Sequence, residues 1–263
     1  MTPRQPPRPQ NHAGRGRLVQ VGREMIRVPP EVDQFLAALG RAVSAAVADG
    51  LPAQRDAAAF AALVHSLTQT LEGQTEAAFA ASTTGQAERA AIACAAGCAF
   101  CCRNSVEITI PEAIALAEAI TQRSDHAAMR ERFAATAAAI QGLSPLRRQA
   151  QAIACPLLEA ESCSQYPDRP LACRSTYATS AAACRRDLES VSSGGKPQPI
   201  KMPATPQVIR TGIVSGIADG LAARRLQADT VELISAVAMI LADPSVIDRW
   251  LQGERVFKPF PKQ

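Results

Sequence analysis

The chain has 263 residues, enough to bury a real core without cross-links, and its 28 Lys and Arg against 24 Asp and Glu leave a net charge of +4. That excess sits in residues 1–27, where Arg4, Arg8, Arg15, Arg17, Arg23 and Arg27 face Glu24 alone. The rest is near neutral, which argues against a folded nucleic-acid-binding surface. Alanine supplies about a fifth of the residues and aromatics are few, so composition favours helix over strand.

In chain order, residues 1–30 read as a disordered basic leader ending in Pro29-Pro30, with no apolar stretch of the kind an export signal carries. Val32, Phe35, Leu36, Leu39, Val43 and Val47 recur at helical spacing up to Gly50. A second helix is expected over 54–82, with Phe60, Leu63, Val64, Leu67, Leu71 and Phe79 on its apolar face. A third, over about 86–96, should deliver the first cysteines. Val106, Ile108 and Ile110 alternate as an extended linker does. Thr109-Ile-Pro-Glu112 then reads as a capping box that opens a helix to about 122, followed by another over 125–141.

Residues 155–180 have turn formers and little periodicity, which predicts an irregular, metal-supported loop. The Arg169-Pro170 step within it should be extended. Ser192 to Pro197 reads as a linker. The remainder is helical, carried by Ile209, Ile213, Ile217 and Leu221, then Val231, Ile234 and Leu241. Gly212, Gly216 and Gly220 recur every four residues, which marks a close helix crossing. His65 and His126 lie in helical stretches without a ligand-spaced neighbour and read as packed or solvated histidines. No apolar run reaches the eighteen residues of a membrane span.

The chemistry lies in eight cysteines: Cys94, Cys98, Cys101 and Cys102 within nine residues, then Cys155, Cys163, Cys173 and Cys184. A disulfide framework belongs to an oxidising compartment, and none is indicated. Neighbours such as Cys101 and Cys102 are also poorly placed to bridge, since a disulfide wants Cα atoms roughly 4.4–6.8 Å apart. Chelation explains the density better. Thiolates two or three positions apart can turn towards one ion, and soft sulfur selects zinc, Cu(I) or iron–sulfur clusters. Two four-sulfur sites, one iron–sulfur cluster with spare thiols, and a bridged binuclear site all fit. Arg103, Arg169 and Arg174 flank the cysteines and are candidates to stabilise thiolates; ordinary exposed arginines are the alternative.

Cys94, Cys98, Phe100 and Cys101 also fit the CxxxCxφC spacing of radical S-adenosylmethionine enzymes. The strand–helix succession that context requires is missing after Cys101.

Two stretches together point elsewhere. Gly97-Cys98-x-x-Cys101-Cys102-Arg103 with Val106 and the Thr109–Glu112 helix start, then Cys155-Pro-Leu-Leu, Cys163-Ser, Tyr166 and Arg169-Pro-Leu-Ala-Cys173-Arg174, resemble the CxxCxxCC or YkgJ-type cysteine cluster family over about 92–186. Cys184 fits one branch of it. The first spacing here is CxxxC where the family has CxxC, so Cys94 departs from the pattern.

The resemblance implies a zinc- or iron-chelating domain. It makes Cys98, Cys101, Cys102, Cys155, Cys163 and Cys173 the core metal ligands, with Cys94 and Cys184 completing the set. Related clusters in flagellin lysine-N-methylases imply an iron–sulfur centre, so a redox or protein-modification enzyme is one alternative. A metal-stabilised interaction module with a basic tail is another. The expectation is thus an all-α, irregular helical domain over 31–252 organised around a cysteine-rich metal site, in a cytoplasmic protein. Residues 253–263 are expected to form a flexible tail. A metal ion is the expected partner; no membrane or nucleic acid is, and no protein partner is specified.

Overall fold

The structure, a computed structural model, describes residues 16–95 and 97–260. Helix makes up 60 % and strand 8 %, so helices carry the architecture and the strands serve as clasps. In chain order the elements are strands β1 (Leu18–Val21) and β2 (Glu24–Arg27), helices α1 (Pro30–Gly50), α2 (Ala57–Ala80) and α3 (Thr83–Ala90), then β3 (Glu107–Thr109) and α4 (Ile110–Thr121). Helices α5 (His126–Ile140) and α6 (Pro145–Ala150) precede strands β4 (Leu158–Glu159) and β5 (Ser162–Cys163). Helices α7 (Leu171–Ser175), α8 (Ala181–Ser192) and α9 (Ala204–Ala223), strand β6 (Thr230–Glu232), and helices α10 (Leu233–Ala242) and α11 (Ser245–Leu251) complete the chain.

Helices α1 and α9 run parallel and touch backbone to backbone. A Cβ placed on Gly212 would meet Leu36; on Gly216 it would lie 2.4 Å from the Gly40 carbonyl oxygen; on Gly220, 2.7 Å from that of Ser44. The four-residue glycine repeat is therefore the seam that lets two helix backbones approach without side chains between them. Past the last glycine, Arg224 Nη1 donates to the Ala48 carbonyl at 2.7 Å, which fixes the same register. Around this pair α2, α4, α5, α10 and α11 enclose one apolar core in which Phe60, Ile114, Phe133, Ile213, Val237 and Trp250 are fully buried. Phe60 and Trp250 meet with ring centroids 6.3 Å apart, and the indole N–H donates to the Gln227 carbonyl.

Three antiparallel two-stranded pairs join the helices. Ile108 pairs with Val231 in β3–β6, so the stretch read as a linker is a strand. Val231, assigned to a helix by periodicity, is its partner because β-branched residues suit a pleated surface better than a helix.

Both ends of the expected body are longer than the leader and tail readings allow. Residues 18–27 form a β-hairpin whose Val19 and Val21 pack with Val28, Leu36 and Val208. At the other end Phe257 is buried, Gln227 bonds both its N–H and its carbonyl, and Pro259 bridges to Val231. Residues 1–15 and 261–263 lie outside the described residues.

The described leader arginines are engaged within the fold. Arg17 pairs with Asp33, Arg27 donates to the Gly16 carbonyl, and Arg23 holds Asp187 through both carboxylate oxygens at 2.9 and 3.0 Å. Asp187, on α8, is buried and also accepts from Gln149 Nε2 and from the Gln198 N–H. Burial raises its pKa, but Arg23 and these donors outweigh burial and hold the carboxyl below the usual carboxylate range.

A carboxyl depressed in the folded state stabilises it above the ordinary Asp pKa, and that contribution disappears as pH falls through the folded value. Asp187→Asn is therefore expected to cost about 2 kcal/mol at pH 7, where it leaves donors unmatched, and progressively less below about pH 4. Chemical denaturation of both proteins across pH checks this. A cost that stays constant with pH would contradict it.

Candidate metal centre

The first cysteine segment leaves its helix early. Helix α3 ends at Ala90 rather than near residue 96, because the Ala93 N–H turns away from the helix and donates to the Ala178 carbonyl at 2.9 Å. The Ala178 N–H returns a bond to Cys94 Sγ at 3.2 Å. This two-bond strap ties the start of the motif to the segment just before α8, which carries Cys184 in its first turns.

Gly97 has φ +83°, a left-handed turn open to glycine, and the chain reverses there before Cys98. Residues Phe100–Arg103 form one 3₁₀ turn that carries Cys101 and Cys102. Arg103 closes that turn by donating to the Ala99 carbonyl at 3.0 Å and reaches towards Glu161.

A second strap sits at the other end of the motif. The Cys155 N–H donates to the Cys102 carbonyl at 2.8 Å, so cysteines more than fifty positions apart are joined through their backbones. From Cys155 the chain enters the β4–β5 hairpin, where Leu158 pairs with Cys163. Its turn residues Ala160 and Glu161 both have positive φ, which costs non-glycine residues about 1 kcal/mol or more each.

The predicted irregular loop over 155–180 is thus a hairpin, a 3₁₀ turn at Tyr166–Asp168 and the short helix α7 bearing Cys173. The Arg169-Pro170 step is extended, as expected, with Arg169 at φ −60° and ψ 133°.

Buried Glu112 positions α7. One carboxylate oxygen accepts from the Thr109 N–H and hydroxyl, completing the capping box; the other accepts from the Leu171 N–H at 2.7 Å. The motif at 109–112 was visible in the sequence, but its second role, anchoring the helix of Cys173, was not. Burial raises the Glu112 pKa above the usual range despite these three donors.

Arg174, largely buried, clamps the same segment. It donates to the Arg169 and Pro167 carbonyls and pairs with Glu72. Arg169 stacks over the Tyr166 ring at 3.6 Å, and its charge favours the thiolate forms of Cys101, Cys163 and Cys173.

All eight cysteines are free; Cys94 and Cys101 are exposed and the other six lie between surface and core. Their thiols bear on one another. Burial first, then the Cys155, Cys101 and Cys163 sulfurs, pushes Cys173 well up. Burial, with a contribution from Cys163, raises Cys155 to about 11. Cys184 also rises to about 11 through burial and then through Cys94, Cys98 and Cys101. Cys98 is raised by burial and then by Cys94, and Cys101 chiefly by its bond with Cys102.

Thiols that oppose each other's ionisation in this way suit a cation, since a bound cation reverses the sign of that interaction and ligates the thiolate. The neighbourhood is rich in sulfur and flanked by arginine, with Asp168, Asp187 and Glu232 at its edges, and its soft thiol donors fit a thiophilic metal rather than calcium or magnesium. Among the described residues, however, no three His, Cys, Asp or Glu side chains converge as a ready-made metal shell. The fold gathers the donors; a closed coordination sphere is not shown. His65 is exposed on α2, and His126 sits at the start of α5 with Nδ1 at 3.1 Å from the Arg123 carbonyl. Among the described residues no helix is long and apolar enough to cross a membrane.

No curated protein and no solved structure matches the chain. One family model does, over residues 93–193, and its description reads "Putative zinc- or iron-chelating domain". That span runs from the residue that opens the Ala178 strap to the end of α8 and includes all eight cysteines. Residues 93–193, set between helical flanks on either side, are thus similar to the CxxCxxCC domain.

Proposed function

We propose that the protein binds zinc or iron through its clustered cysteines, with Cys98, Cys101, Cys102, Cys155, Cys163 and Cys173 as core ligands and Cys94 and Cys184 completing the set. The observation that carries this reading is the backbone bond from Cys155 to Cys102, which folds the second cysteine segment onto the first. The strap sets Cys155, which packs against the edge of the core, beside the first cysteine segment, as a shared donor set requires. Arg103 and Arg174 orient the donor loops through backbone carbonyls, and Arg169 and Arg174 moderate the negative charge of the thiolates, which is the supporting role expected around a sulfur-rich centre.

The metal also stabilises the fold in this reading. Cys163 sits at the end of a hairpin with two strained turn residues, and only a rigid surrounding retains such a conformation. Stripping the metal with a chelator under reducing conditions should lower stability by about 4 kcal/mol relative to protein held at a thousandfold excess over Kd. For a chain of this size that is a fall in Tm of roughly 8–16 °C. Differential scanning calorimetry of stripped and reloaded protein checks it. An unchanged Tm, or one that reloading fails to restore, would contradict a metal that supports the fold.

A further inference from the structure

We propose that the groove between α2, α4 and the Tyr166–Asp168 turn binds a free α-amino acid with an apolar side chain, its carboxylate held by Arg169 and its ammonium by Asp168. The site lies outside the eight cysteines and goes beyond the metal reading without depending on it.

The floor of the groove comes from α4. That helix is almost wholly apolar, and a helix of this kind is ordinarily enclosed on all sides. From Ile110 to Ile120 every residue is buried except Ala115 and Ala119, one turn apart. With Ala61 of α2 and the Pro167–Arg169 segment, these two alanines line a groove of about 280 Å3. Sites for drug-sized ligands run from roughly 300 to 1,000 Å3, so this one suits a molecule the size of a single amino acid. The small side chains leave room for one apolar group of the ligand.

The charges select the ligand. Three Asp, Glu or Arg side chains line the groove, namely Glu118, Asp168 and Arg169. Glu118 is already engaged, with Arg55 Nε at 2.7 Å. Arg169 Nε is buried without a hydrogen-bond partner, and among the described residues neither Asp168 nor Arg169 pairs with an opposite charge. The Arg169 guanidinium stacks over the Tyr166 ring at 3.6 Å. Stacking uses the face of the guanidinium and leaves its N–H edge for a planar acceptor, the geometry a carboxylate matches. An unpaired anion and an unpaired cation on consecutive residues complement a zwitterion. A simple anion would be repelled by Asp168, and a simple cation by Arg169.

The turn is fixed before anything binds. Arg174 donates to the Pro167 and Arg169 carbonyls while it pairs with Glu72, and the Asp168 N–H donates to the Gln165 carbonyl at 3.1 Å. A site held in this way gives up little entropy when a ligand arrives.

The test titrates the full chain, as purified, by isothermal titration calorimetry with three compounds. These are L-leucine, isocaproate (leucine without its ammonium) and isoamylamine (leucine without its carboxylate). Leucine should bind, and each analogue should bind about tenfold or more weakly, because each forfeits a charge-assisted contact. Arg169→Gln should remove the advantage of leucine over isoamylamine, and Asp168→Asn its advantage over isocaproate. Ala119→Leu should fill the groove and abolish binding of all three, with helix content unchanged by circular dichroism.

No binding of leucine, or equal binding of the three compounds, would overturn the proposal. So would a charge variant that weakens all three alike, or a folded Ala119→Leu protein that binds leucine as the wild type does. None of these outcomes decides whether the cysteines hold a metal, which metal analysis of the same samples measures separately.

Discussion

Replacing Gly216 by valine is expected to lower stability by about 3 kcal/mol, at the upper end of the cost of overpacking, and to depress Tm by roughly 6–12 °C. The cause is specific. A Cβ at this position would lie 2.4 Å from the Gly40 carbonyl oxygen and 2.8 Å from Val43 Cβ, so the clash is with a backbone and a stiff β-branched side chain. Neither can swing aside, and α1 and α9 must separate along their whole seam.

Helix propensity works the other way, since valine is intrinsically better than glycine in a helix, but only by a few tenths of a kcal/mol. The packing term wins. The control is Gly73→Ala in α2, where an added Cβ meets nothing within 4 Å. There only propensity acts, and a gain of about 0.5–1 kcal/mol is expected. Thermal melts of the two variants should therefore move in opposite directions. A Gly216→Val protein as stable as the wild type would show that the seam is not as close as described.

Truncation of Arg148 to alanine is expected to cost about 3–5 kcal/mol, because it breaks a buried ion pair by removing one partner. Arg148 is among the most enclosed side chains in the molecule, and its Nη1 lies 2.7 Å from Glu232 Oε1. Glu232 uses its other oxygen to cap α10 through the Ser235 N–H. Arg148→Ala leaves that carboxylate half-buried without its cation and opens a cavity beside Cys155.

The pair itself contributes less than this loss suggests, since desolvation of both charges offsets most of their attraction. Arg148→Met with Glu232→Gln should accordingly recover most of the deficit: methionine fills the space, and glutamine keeps an acceptor for Ser235. Urea unfolding, followed by fluorescence of the single Trp250, provides the measurement. A double variant as unstable as Arg148→Ala would locate the cost in shape and not in charge.

The helices and the crossing were legible in the sequence because they depend on local signals. Apolar spacing locates α1, α2 and α9, the capping box locates α4, and the glycine repeat marks a close helix crossing on α9. What escaped has a common physical origin: the controlling partner is remote in sequence. Nothing local reveals that Ala93 bonds Ala178, so the sequence pattern runs α3 on to about residue 96. The hairpin at 18–27 leaves no local signature because its packing partners are Leu36 and Val208. Asp187 looks like an exposed helical acid until Arg23, 164 positions away, is seen to grip it.

The cysteine site divides in the same way. Residue identity and spacing singled out all eight sulfurs, and the fold brings their segments together. The positioning residues Glu112 and Arg174 act through distant backbone or side-chain groups, and no local spacing marks that role.

The most direct measurement is metal content and absorbance of the full chain purified without air. Zinc or iron in at least stoichiometric amount is the predicted result, colourless for zinc and brown with acid-labile sulfide for an iron–sulfur centre. Protein that emerges folded, with eight reactive thiols and no metal, would contradict chelation as the purpose of the cluster.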